Sequence, residues 1–139
     1  MPTQYLLDTN ICIYITKHQP EIVRQHFEKH LPNRNILMSV ITLGELRFGA
    51  EKSQNKEKAL KVIDELSAVI PVVELDETVA EHYAQIRKDL TLKGQIIGNN
   101  DLWHAAHASA NDWVMVTNTE KEFLRVDQLK IENWVTKAI

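Results

Sequence analysis

This chain has little of what would mark it as a special case. One cysteine in 139 residues, Cys12, excludes an internal disulfide framework and is expected in a reducing cytoplasm. Four glycines and four prolines exclude collagen-like, linker-rich or low-complexity architecture. Aromatic residues are only 6%, and no apolar run approaches the ~20 residues of a membrane span. No basic-then-apolar leader opens the chain, so no export or membrane role is expected. A net charge of −3 removes the basic-coat class of nucleic-acid binder. Contact with RNA would need a local basic patch, or cations neutralising an acidic centre. With 44% hydrophobic and 25% charged residues, the length suits one compact domain over residues 1–139.

What is present is a set of short apolar runs alternating with helical patterns. Tyr5-Leu6-Leu7 reads as a buried strand, Ile11–Ile15 as a helix, and a second helix begins near Glu21. Pro32–Asn35 is a turn, Ile36–Met38 a strand, and Thr42–Ser53 a helix. The spacing Ala59, Val62, Ile63, Leu66, Ile70 predicts a helix from Lys56, stopped at Pro71. Val72–Leu75 reads as a third strand. Asp76 is the expected N-cap of a helix striped by Val79, Tyr83, Ile86 and Leu90 and ended at Gly94. A helix from Asp101 to about Asn111, a strand at Trp113–Val116 and another at Ile131–Trp134 complete the pattern. Alternation of this kind implies a mostly parallel sheet covered on both faces.

Three carboxylates stand at junctions of this pattern. Asp8 ends the first strand, Glu45 lies where an apolar stretch turns helical, and Asp101 opens a helix after Gly98-Asn99-Asn100. Ligands collect at the carboxyl ends of strands in such sheets. Oxygen donors converging there suit Mg²⁺ or Mn²⁺ and metal-assisted phosphodiester hydrolysis. Taken singly, each residue has a plainer reading: Asp8, Thr9, Asn10 and Asp101 all suit helix capping. His104 and His107, at i and i+3, would need further nitrogen or sulfur ligands to hold zinc; one is expected at the site edge and the other in packing. Trp103 is expected on an unpaired base, against a protein partner or in the core surface, and Cys12 in the core. Arg47, Arg87, Lys88 and Lys93 are candidate phosphate contacts.

The ordered set Asp8-Thr9-Asn10, Thr42–Gly49, Gly98–Asp101 with Ala105-Ala106, and Val116-Thr117-Asn118 leading to Glu122-Phe123 resembles PIN-domain proteins. Within them it is similar to the VapC toxins of type II toxin–antitoxin modules. The resemblance implies a three-layer α/β/α PIN domain and a Mg²⁺-dependent endoribonuclease silenced by a VapB-type antitoxin. It implies Asp8 and Asp101 as metal ligands, with Glu45 acting directly or through water. Many relatives carry a fourth acid after the Thr that follows strand four. Thr117-Asn118-Thr119 has none, leaving Asn118, Glu120 or Glu122 as substitutes; Asn118 is favoured to touch the site through its side chain and Glu122 to supply charge, with Thr9 and Asn10 as possible accessories.

The same resemblance implies a homodimer and operator DNA contacted only through the antitoxin. It favours tRNA as substrate, specifically the initiator tRNA anticodon stem-loop. An antitoxin tail crossing a groove near Asp8 or Asp101 could place a basic residue on the acids. Two other readings remain: a catalytically inactive PIN-like scaffold, and a haloacid-type hydrolase. The second is disfavoured because position 10 is Asn where that chemistry commonly has a second Asp.

Overall fold

Five short strands set the frame: β1 (Tyr5–Leu7), β2 (Ile36–Ser39), β3 (Val72–Val73), β4 (Val114–Val116) and β5 (Ile131–Glu132). They pair in the order β3-β2-β1-β4-β5, every pair parallel. The computed structural model describes residues 2–139. Side-chain alternation along the strands builds the layers. Leu7, Ile36, Met38 and Val116 enter one core with Ile11, Cys12, Ile15, Val23, Leu46, Ile63 and Trp134. Leu6 and Met115 enter the other with Leu90, Leu102, Ala105, Phe123 and Val126. Burying one such large side chain is worth about 1.5–3 kcal/mol, so β1 anchors both layers despite its three residues.

Helices α1 (Thr9–Lys17), α2 (Glu21–His30), α3 (Val40–Glu51) and α4 (Lys56–Val69) supply side chains to the first core. Helices α5 (Glu77–Lys93), α6 (Asn99–Asn111) and α7 (Glu120–Phe123) supply the second. The result is the expected α/β/α arrangement, with a sheet that is parallel throughout. None of the described helices is long and apolar enough to cross a membrane.

Local chemistry explains the boundaries. Asp76 caps α5 by accepting from Val79 N at 3.2 Å, and Gly94 ends it in the left-handed region at φ 67°. Ser39 Oγ accepts from Thr42 N at 3.1 Å and starts α3 at Val40, ahead of the Thr42 start expected. Glu74 and Leu75 fall outside β3, because Asp76 draws the chain into the α5 cap. Asp101 is not a cap: Gly98 holds that position and α6 begins at Asn99, placing Asp101 in the first turn. The short α7 comes after the β4 edge and carries Glu122 toward it.

Candidate active site

The carboxyl ends of β1 and β4 lie side by side: Asp8 N donates to Val116 O at 2.9 Å and Thr117 N to Glu132 O at 3.0 Å. At this edge β2 and β3 are on one side of β1 and β4 and β5 on the other, the place where an open parallel sheet leaves a crevice. Helices α1 and α3 start directly after β1 and β2. Their N-terminal N–H groups favour negative charge at that edge.

Asp8 is the N-cap of α1 and only 5% exposed. Its Oδ1 accepts from Thr9 N at 2.7 Å and its Oδ2 from the buried Thr117 hydroxyl at 2.9 Å. Thr9 turns its own hydroxyl to Glu45 Oε1 at 2.9 Å, with Thr42 Oγ1 at 3.3 Å, and so joins α1 to α3. Glu45 is held below the usual carboxylate range, first by the His104 ring nitrogen 3.5 Å away and then by Thr9 and Asn100, against the opposing effect of burial. Asp101 goes the other way. Burial, a hydrogen bond with Glu122 and the negative charge of Asp8 push its carboxyl up to about 7.

Asp8, Glu45, Asp101 and Glu122 are thus linked through Thr9, His104 and direct contact. Among the described residues none of the four carboxylates pairs with a lysine or arginine; His104 alone faces one of them, Glu45, at 3.5 Å. Nor, among the described residues, do three acid, thiol or imidazole groups already stand at coordination spacing. The donor set is hard oxygen, negatively charged and lacking a countercharge, which fits a divalent cation of the Mg²⁺ or Mn²⁺ type.

The three substitutes for a fourth acid separate cleanly. Glu122 reaches Asp101. Asn118 donates to Tyr14 Oη at 3.4 Å and accepts from Asn133 at 3.1 Å, while Glu120 accepts from the same Asn133 amide at 3.1 Å. These two form an exposed polar rim, so Asn118, expected to touch the site, instead bonds Tyr14 and Asn133 and none of the four acids. Asn10 is exposed on α1. The histidines also part: His104 lies between Ser39 and Glu45, whereas His107 packs on Trp113 with ring centroids 5.1 Å apart. Cys12 is buried, and burial pushes its thiol up. One face of Trp103 is occupied by Tyr83, stacked at 3.9 Å. Arg87 donates to the Tyr83 hydroxyl at 2.8 Å, which donates to Asn99 at 2.6 Å beside the site.

Of the candidate phosphate contacts, Arg47 pairs with Asp64 at 3.5 Å and Lys93 with Asp89 and Asp127 at 3.0 Å each. Arg87 and Lys88 have no carboxylate partner among the described residues. Ser39, Thr42, Tyr14 and Thr117 were not singled out as site residues by the sequence. Ser39 and Thr117 lie at strand ends as Asp8 does, a position that hints at the site without showing which acid or ring each hydroxyl meets. A groove of about 630 Å³ between α1, α3 and α4 is lined by Ile13, Thr16, Leu46, Ala59 and Ile63, with Glu45 also in its wall. It uses the inner face of α3; Phe48 lies outside it, exposed, beneath the Lys52 ammonium.

Comparison with known proteins places this geometry. The PIN domain family matches residues 5–129. Ribonuclease VapC1 of Haemophilus influenzae is 40% identical over 130 residues, spanning 94% of this chain and 97% of its own. The tRNA(fMet)-specific endonuclease VapC of Shigella flexneri is 40% identical over 131 residues, spanning 94% and 98%. A chain in the crystal structure of VapBC2 from Rickettsia felis, bound to a DNA fragment from its promoter, superposes with a TM-score of 0.89. It is 36% identical, over 95% of this chain and 99% of that one. Sequence and fold agree along nearly the whole length, and the chain belongs to the VapC ribonucleases of the PIN-domain family.

Proposed function

We propose that this protein is the toxin of a type II toxin–antitoxin module, a Mg²⁺-dependent endoribonuclease acting at the edge formed by β1 and β4. The observation that carries the reading is the set of linked carboxylates without a lysine or arginine partner among the described residues, with Asp8 almost wholly buried among them. Bound there, a divalent cation supplies positive charge to a phosphodiester in reaction and acidifies water for the attack. Asp8 and Asp101 are the residues we assign to hold it, with Glu45 beside them and Glu122 as the fourth acid. Thr117 and Thr9 keep Asp8 and Glu45 in place by donating to them. Mn²⁺ suits the same oxygen donors. Water attack leaves a 5′-phosphate and a 3′-hydroxyl.

The substrate we assign is RNA in the cytoplasm, with the initiator tRNA anticodon stem-loop favoured. Support for that choice is the Shigella flexneri relative at 40% identity, a tRNA(fMet)-specific endonuclease. Arg87 and Lys88, exposed and without carboxylate partners among the described residues, are the cations we assign to RNA phosphates. The largely apolar groove with Glu45 in its wall suits the tail of a VapB-type antitoxin, whose basic residue would meet the acids and displace the cation. A homodimer, with operator DNA reached only through the antitoxin, completes the assembly.

Purified, antitoxin-free protein incubated with total tRNA and Mg²⁺ tests the reading. A discrete cut is expected, absent with EDTA and reduced more than ~100-fold in Asp8→Asn and in Asp101→Asn. Cleavage surviving both substitutions would place the chemistry elsewhere. No cleavage of any RNA by folded protein would favour an inactive RNA- or protein-binding scaffold.

A further inference from the structure

His104 takes no part in the chemistry assigned so far, yet it is 1% exposed and lies against the acids. It stands one turn beyond Asp101 on α6, with Nδ1 3.4 Å from Ser39 Oγ and Nε2 3.5 Å from Glu45 Oε1. The Ser39 oxygen already accepts from Thr42 N at 3.1 Å, so its hydroxyl proton is free to point at Nδ1. A ring nitrogen that accepts leaves the proton on the other one. The Glu45 carboxylate in front of Nε2 can only accept, so the arrangement that satisfies both ring nitrogens puts the N–H on Nε2.

At 3.5 Å that contact is longer than a good hydrogen bond, and Nε2 has no other partner. A buried N–H left unmatched is unfavourable, and Glu45 Oε1 is the acceptor in front of it. The same oxygen accepts from Thr9 Oγ1, so Oε1 is gripped from α1 and from α6. We propose that His104 is a positioning residue of the metal centre: Ser39 fixes its tautomer, and its Nε2–H holds the Glu45 carboxylate toward the cation. This rests on the metal-nuclease reading above.

The full chain decides it by Mn²⁺ binding, followed by electron paramagnetic resonance, and by nitrogen NMR of the imidazole. His104→Leu fills the volume without a donor and is expected to bind Mn²⁺ ~10-fold or more weakly, the usual effect of removing a partner behind a ligand. His104→Gln restores an N–H toward Glu45 and should recover most of that loss. In the wild type the NMR signature is expected to be that of the Nε2–H tautomer, a measurement needing no variant.

An Nδ1–H tautomer, or His104→Leu binding Mn²⁺ as tightly as wild type, overturns the proposal. Asp101→Asn separates the two levels. If it loses Mn²⁺ while His104→Leu does not, only the positioning role fails. If the wild type binds no Mn²⁺, the metal centre fails and His104 with it.

Discussion

At Asp101, burial, Glu122 and Asp8 together raise the carboxyl to about 7. Folded, metal-free protein therefore keeps a proton that the unfolded chain releases near pH 4. That contribution to stability is complete below about pH 4 and is lost as pH rises through about 7. Asp101→Asn cannot ionise, so in EDTA at pH 8 it should melt higher than the wild type by roughly 3–6 °C, allowing for solvent screening. At pH 4 the difference should vanish. Scanning calorimetry at the two pH values checks this, and a variant melting lower at pH 8 would contradict it. The same proton competes with a cation, so Mg²⁺ affinity should climb with pH through about 7 and then level off; calorimetric titration reads it. Asp8, Glu45 and Asp101 were legible in the sequence because carboxylates at strand–helix junctions are conspicuous. Thr117 and Ser39 were not: a hydroxyl takes its meaning from partners 109 and 65 residues away.

Helix α6 carries a second titration of the opposite sign. Burial, with His104 nearby, lowers the His107 imidazole to about 4. Its native state sheds a proton that the unfolded chain binds below about 6.5, so stability is present above that value and is lost as pH falls toward 4. Asp101 and His107 thus oppose one another in one pH window. In an Asp101→Asn background the acid loss should stand out, on the order of 2 kcal/mol between pH 6.5 and 4. Adding His107→Leu should flatten it, as urea melts across that range would show. Long elements such as α4 and α5 were read from periodicity and caps. The four-residue α7 was not, since one turn has too few apolar positions to show a period. The start of α6 was placed two residues late because Gly98 caps it without a side-chain signal.

Across the whole molecule, the far end of the chain is fastened by Trp134. It is fully buried, stacked on His30 and His26 with centroids 5.0 and 5.4 Å away, and donates to Glu132 at 3.1 Å. Trp134→Ala should cost about 3–5 kcal/mol in urea unfolding, and a loss below ~1 kcal/mol would contradict the anchoring role. A parallel, doubly covered sheet followed from the alternation of strands and helices. The order β3-β2-β1-β4-β5 did not, because alternation does not say on which side of β1 each crossover returns. That order has a temporal consequence. Asp8 waits beside β1 until β4 has been made, and Glu122 follows later still. A ribosome adding ~5–20 residues per second needs on the order of ten seconds to travel from one to the other. A nascent chain therefore lacks its complete set of acids until β4 and α7 have emerged.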